Sequence, residues 1–189
     1  MNIKRQVSSK PFKDIEAFQT WAYNQEIGYE FVDNRAVKKE MIKDVELMII
    51  WWLNKFFKLT QSFKEEASLI SEVGIRLEND RFRIPDLAFF TTKQHFSAIK
   101  GEHPIPQLAI EFLSKKESAE HIADKINDYF SSGVKLVWYI YPKTEMIYAY
   151  SSPKNIKIYQ GDDICSASPI IPDFQFPTKE IFKKELSLS

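Results

Sequence analysis

The sequence predicts an α/β fold with a central mixed β-sheet flanked by α-helices, on two observations. The run QLAIEFL at 107–113 alternates Leu108, Ile110 and Phe112 with Ala109, Glu111 and Leu113. Both faces are largely apolar, as in a strand covered on both sides. The segment ESAEHIADKINDYFSSG then has helical spacing, and VKLVWYIY follows as a β-branched and aromatic run. Strand, helix, strand in that order reads as a crossover between parallel neighbours. A length of 189 residues fits one domain over 1–189, able to bury a core without disulfides or a structural metal.

The other elements follow in chain order. Ile15, Phe18, Trp21 and Ala22 recur at helical spacing after Asp14, which predicts a short helix with an aspartate N-cap. GYEFVDNRAVKK reads as two strands, with Glu30 in the first, joined at Asp33-Asn34. Those two residues tolerate the left-handed conformation of a tight hairpin. From Met41 to Phe57, Val45, Met48, Ile49, Trp52 and Phe56 share a helical face, and Leu47, Ile50, Trp51 and Leu53 widen it nearly all round. Such a helix is expected to be buried on two sides, by a sheet plus flanking segments or by a sheet plus a second subunit. Residues 67–90 read as a strand hairpin turning at Glu78-Asn79-Asp80, with Pro85 excluding a helix. A polar loop rich in Lys, His, Gly and Pro precedes the 107–113 strand. In the next helix Ala119, Ile122, Ala123, Ile126, Tyr129 and Phe130 share a stripe, and Gly133 closes it. EMIYAYSS and NIKIYQ continue as a hairpin, and PIIPDFQFPTKEIF reads as a packed C-terminal arm. Trp51, Trp52, Trp138, Tyr139 and Tyr141 are expected in the core rather than stacked on bases.

Composition narrows the function. Lysine plus arginine equal aspartate plus glutamate at 26 each, so no global field draws the chain to nucleic acid or anionic lipid, and a basic patch must be local. Cys165, the one cysteine, forms no zinc-like pattern with His95, His103 and His121. The start MNIKRQVSSK lacks a secretory apolar segment, and the longest apolar run, LMIIWWL, falls short of a membrane span. A cytoplasmic protein is expected.

The chemistry starts from RIPDLAFF, where Asp86 stands between a proline and an apolar run. A buried carboxylate requires a partner. Glu111, inside the next predicted strand, supplies one, and two adjacent carboxylates both stay ionised when a cation sits between them. Oxygen ligands favour magnesium or manganese. Such an ion suits phosphodiester hydrolysis, with a nearby lysine to orient the water.

GYEFVDN, SEVGIRL with RIPDLAFF, QLAIEFLS, DKINDYFSSGVKLVWYIYP and IIPDFQF with EIF resemble, in order and spacing, the PD-(D/E)XK nuclease superfamily. Within it they resemble the Uma-two family of predicted restriction endonucleases, over most of the chain. The resemblance implies a restriction-endonuclease-like fold and a magnesium- or manganese-dependent endonuclease acting on DNA; the apolar breadth of the Met41–Phe57 helix adds the expectation of a homodimer. It implies Asp86 and Glu111 as catalytic metal ligands, the Phe112 backbone carbonyl as another, and Glu30 as a third acidic ligand or a group that supports one. Leu113 stands where the superfamily usually has its strand lysine. Lys125, four residues before Tyr129, takes that role in the Uma-two pattern, with Lys115 and Lys116 as competitors. Asn34 replaces a usual glycine, and the segment before the Met41 helix lacks the customary proline and histidine. A catalytically inactive nuclease-fold binding or scaffold protein is the alternative.

Overall fold

The computed structural model describes residues 10–78, 80–114 and 117–183. Asp14 accepts a hydrogen bond from the Ala17 N–H at 2.8 Å and starts helix α1 (Ile15–Ala22). Strands β1 (Tyr29–Val32) and β2 (Arg35–Lys38) turn at Asp33 and Asn34, whose φ angles are 50° and 59°. Glu30 pairs with Val37, and the Lys39 N–H donates to the Gly28 carbonyl, so Glu30 and Lys39 leave the hairpin on the same face.

Helix α2 (Asp44–Phe57) begins later than its apolar pattern suggests. The Lys43 N–H donates to Glu46 Oε2 at 2.8 Å and closes the first turn there. A one-turn helix α3 (Gln61–Lys64) follows, capped by Thr60.

Residues 67–90 do not form the single hairpin expected. They make four short strands, β3 (Ser68–Ser71), β4 (Ile75–Leu77), β5 (Arg81–Arg83) and β6 (Leu87–Phe90), shared between two sheets. β4 and β5 form the hairpin, while β3 pairs with β6. The chain changes sheet at Gly74, where a Cβ would come within 2.3 Å of the Phe82 ring. It returns at Ile84-Pro85, where proline offers no N–H to extend a ladder.

Helix α4 (Thr92–Ile99) stands where a polar loop was expected. Thr91 and Gln94 form its capping box, but Phe96 and Ile99 are exposed. Without a buried stripe, the helix leaves no apolar period in the sequence.

β7 (Leu108–Phe112), α5 (Ala119–Ser131) and β8 (Leu136–Tyr141) form the predicted crossover, β7 and β8 being parallel. Ser118 caps α5, and Gly133 follows it with φ of 102°. With β9 (Met146–Ser152) and β10 (Asn155–Gln160) the main sheet has six strands in the order β10-β9-β8-β7-β6-β3. The smaller sheet is β2-β1-β5-β4. The C-terminal arm is a hairpin of β11 (Ile164–Ala167) and β12 (Ile171–Pro177) with a closing 3-10 turn at Thr178–Phe182.

Alternation along β7 sorts the core. Leu108, Ile110 and Phe112 pack with α2 and the arm, whereas Ala109 joins Ile126 and Tyr129 of α5 on the opposite side. α1 lies on the smaller sheet through Phe18, Phe31 and Phe82. This chain covers only one side of α2: Ile49, Trp52 and Leu53 are buried, while Val45, Leu47 and Trp51 are exposed. Trp51 is therefore no core residue, although Trp52, Trp138 and Tyr139 are, and Tyr141 is half-buried. No helix among the described residues is long and apolar enough to cross a membrane.

Candidate active site

Pairing of Leu87 with Ile110 and of Ala88 with Ala109 carries Asp86 to the Glu111 end of β7. Asp86 is 6% exposed and both its oxygens are used. The Phe112 N–H donates to Oδ2 at 2.6 Å, and Lys39 Nζ donates to Oδ1 at 2.7 Å.

Glu111 falls in the set of β7 residues turned toward α5 and is 2% exposed. Lys125 and Tyr129, one helical turn apart on α5, reach it together. Lys125 Nζ donates to Oε2 at 3.0 Å and Tyr129 Oη to Oε1 at 2.5 Å. Lys39 Nζ lies 3.8 Å from the same Oε2.

Glu30 arrives from the smaller sheet. Its Oε1 lies 3.3 Å from Lys125 Nζ and accepts the Ile84 N–H at 3.2 Å, and its Oε2 accepts from Arg83 at 3.0 Å. Arg83 is fully buried and donates through Nε and Nη2 to Asp128 Oδ2 at 2.9 and 2.5 Å. Lys39, Arg83 and Lys125 thus interleave with Glu30, Asp86, Glu111 and Asp128 at the junction of the two sheets. An opening lined by Lys38, Lys39, Glu40, Lys43, Asp86 and Lys125 leads out of the cluster.

Burial opposes every charge here, and the neighbours decide the balance. It pushes the Asp86 carboxyl up to about 6, with the charge of Glu111 adding, against the Lys39 ammonium and the Phe112 N–H. Lys39 is itself held above the ordinary lysine range, because Glu111, Asp86 and Glu30 outweigh its burial. The pair is unequal since Lys39 has three carboxylates around it, whereas Asp86 has one ammonium and a like charge. Burial is likewise outweighed at Glu30, held below its usual range by Lys125, Arg83 and Lys39, and at Lys125, raised by Glu111 and Glu30. Burial and the Glu111 carboxylate together keep the Tyr129 phenol neutral.

The Asp86 shift has a definite sign. A carboxyl raised from 3.8 to about 6 favours the fold below pH 4, and that contribution is lost as pH rises through about 6. Relative to wild type, metal-free Asp86→Asn is therefore expected to gain up to about 3 kcal/mol of stability between pH 4 and pH 7. Urea melts of both proteins across that range check this, and a difference independent of pH would contradict it.

All four residues singled out from the sequence, Glu30, Asp86, Glu111 and Lys125, lie in the cluster. Lys115 and Lys116 lie outside the described residues. Lys39 and Arg83 were not singled out. The hairpin register carried a signal for Lys39, since a two-residue turn at Asp33-Asn34 sets it on the face of Glu30. Among the described residues no group of three or more His, Cys, Asp or Glu is arranged to hold a metal. The Asp86 and Glu111 oxygens nevertheless converge on a cation, the Lys39 ammonium, as hard oxygen donors would on a magnesium ion.

A family model described as "Putative restriction endonuclease" matches residues 15–179. Among solved structures, the chain is similar to a "putative nuclease belonging to DUF820" from Anabaena variabilis. Identity is 18% with a TM-score of 0.71, over 89% of this chain and 97% of that one. The two share the restriction-endonuclease-like fold. No curated protein matches the chain.

Proposed function

Since the chain belongs to the Uma2 family, we propose that it is a nuclease hydrolysing DNA phosphodiester bonds with a magnesium or manganese ion. The observation that carries this reading is the approach of Asp86 Oδ1 and Glu111 Oε2 to one cation, at 2.7 and 3.8 Å. Magnesium binds through few carboxylates and keeps several waters, so this small donor set suits it. Asp86 and Glu111 hold the ion, which when bound polarises a phosphoryl oxygen and lowers the pKa of water.

The chain's own groups orient the rest. Lys125 and Tyr129 grip the two oxygens of Glu111, and the Phe112 N–H fixes Asp86. Lys125 positions the attacking water and offsets the charge that develops on the phosphate. Glu30 steadies Lys125, with its Oε1 3.3 Å from Nζ, as the group that supports the ligands. The rim of the opening is mixed in charge, with Lys38 and Lys43 set among Glu40, Glu46 and Glu117 and Lys43 paired to Glu46 at 3.0 Å. Residues 1–189 act as one cytoplasmic domain, paired as a homodimer through the uncovered Val45, Leu47 and Trp51 side of α2.

The test is purified protein with supercoiled plasmid and magnesium or manganese, beside Asp86→Ala and Glu111→Ala. Wild type is expected to nick the plasmid, and chelation or either substitution to abolish it. Cleavage unchanged by both substitutions would remove the site. No cleavage of duplex, branched or single-stranded DNA would favour a second reading, a catalytically silent scaffold. That reading draws on Lys39, whose ammonium already neutralises the two carboxylates.

A further inference from the structure

Resting on the reading that Asp86 and Glu111 hold the metal, we propose that Lys39 is a built-in competitor for it. Its ammonium occupies the cation position between the two carboxylates, and a divalent ion binds there only when that ammonium leaves.

Charge and placement both point this way. Lys39 Nζ lies 2.7 Å from Asp86 Oδ1 and 3.8 Å from Glu111 Oε2, so a divalent ion taken up by the same two oxygens would meet a like charge at close range, which repels it.

Of the three cations Lys39 is the one free to go. Arg83 and Lys125 stem from β5 and α5, whereas Lys39 lies between the end of β2 at Lys38 and the start of α2 at Asp44. Its side chain is 10% exposed, against 0% for Arg83 and 5% for Lys125. Like Lys125 it lines the opening, but from the segment that also carries Glu40 and Lys43. A flexible four-carbon stem there reaches solvent without moving a strand or helix.

The experiment is calorimetric titration of the metal-free full chain with manganese chloride, for wild type, Lys39→Met, Lys39→Arg and Asp86→Asn. Lys39→Met is expected to bind manganese at least roughly tenfold more tightly than wild type, since it removes a close charge pair that the ion must otherwise break. Lys39→Arg, which keeps the charge, should stay near wild type, and Asp86→Asn should lose binding. Acylation of wild-type lysines, read by peptide mass spectrometry, gives a second measurement that needs no variant. Lys39 labelling is expected to rise several-fold at saturating magnesium, while Lys125 labelling stays low. Manganese binding that depends on Asp86 but is no tighter in Lys39→Met, or Lys39 labelling unchanged at saturation, would overturn the competitor role and leave the metal site standing. No binding to any of these proteins, or binding indifferent to Asp86→Asn, would overturn the metal site and the competitor with it.

Discussion

Replacing Arg83 with methionine is expected to lower the free energy of unfolding by about 3–5 kcal/mol. The side chain is fully buried and bridges Glu30 to Asp128 with three hydrogen bonds. Methionine is two atoms shorter than arginine but close to it in volume and uncharged, so the effect of the substitution is mainly electrostatic. Asp128 keeps a distant contact with Arg81 at 3.8 Å, whereas among the described residues Glu30 retains Lys125 alone as a direct ion-pair partner. The cost therefore falls mainly on Glu30. Urea denaturation measures it, and adding Glu30→Gln to the variant should recover part of the loss by removing the stranded charge. A loss below about 1 kcal/mol, the range of an exposed pair, would show that the bridge is not what holds the two sheets together.

Lys125→Met is expected to lower kcat for plasmid cleavage by about 10²–10³-fold with little change in KM, the pattern of a group that acts mainly as charge develops. This effect rests on the nuclease reading. Because Lys125 also steadies Glu111 and Glu30, the variant should lose stability as well, and the two effects must be separated. Rates are compared per folded molecule, at a temperature where circular dichroism shows both proteins native. A deficit that vanishes on that basis would leave Lys125 as a structural counter-ion. Recovery by Lys125→Arg of stability but not of kcat would support its role at the water, since a planar guanidinium does not reproduce a compact ammonium.

What the sequence revealed depends on how local its cause was. Asp86 and Glu111 were legible because strand alternation is a local rule: it sets Glu111 opposite in sense to Ile110 and Phe112, and it makes a carboxylate in such a run conspicuous. Lys125 was legible as one turn before Tyr129 on a helix with a clear stripe. Arg83 was hidden because its partners come from β1 and α5, and only packing of the smaller sheet against the crossover brings them together. Lys39 was half hidden: the hairpin fixes its face, but its approach to Asp86 is a tertiary event. α4 left no trace because it buries no stripe, and the two-sheet division of residues 67–90 turns on single residues, Gly74 and Pro85, that punctuate a strand pattern without announcing a change of sheet.

The short passage from Arg83 to Asp86 belongs to both sheets at once. At one end the Arg83 guanidinium and the Ile84 N–H clasp Glu30 of the smaller sheet, and at the other Asp86 takes the Phe112 N–H of the larger. Those bonds lie within each layer, and three ion pairs cross between them: peeling the layers apart would take Lys125 from Glu30, Asp128 from Arg83 and Lys39 from Asp86 in the same motion. The charge cluster is a weld as well as a site, and the protein cannot loosen one without dismantling the other.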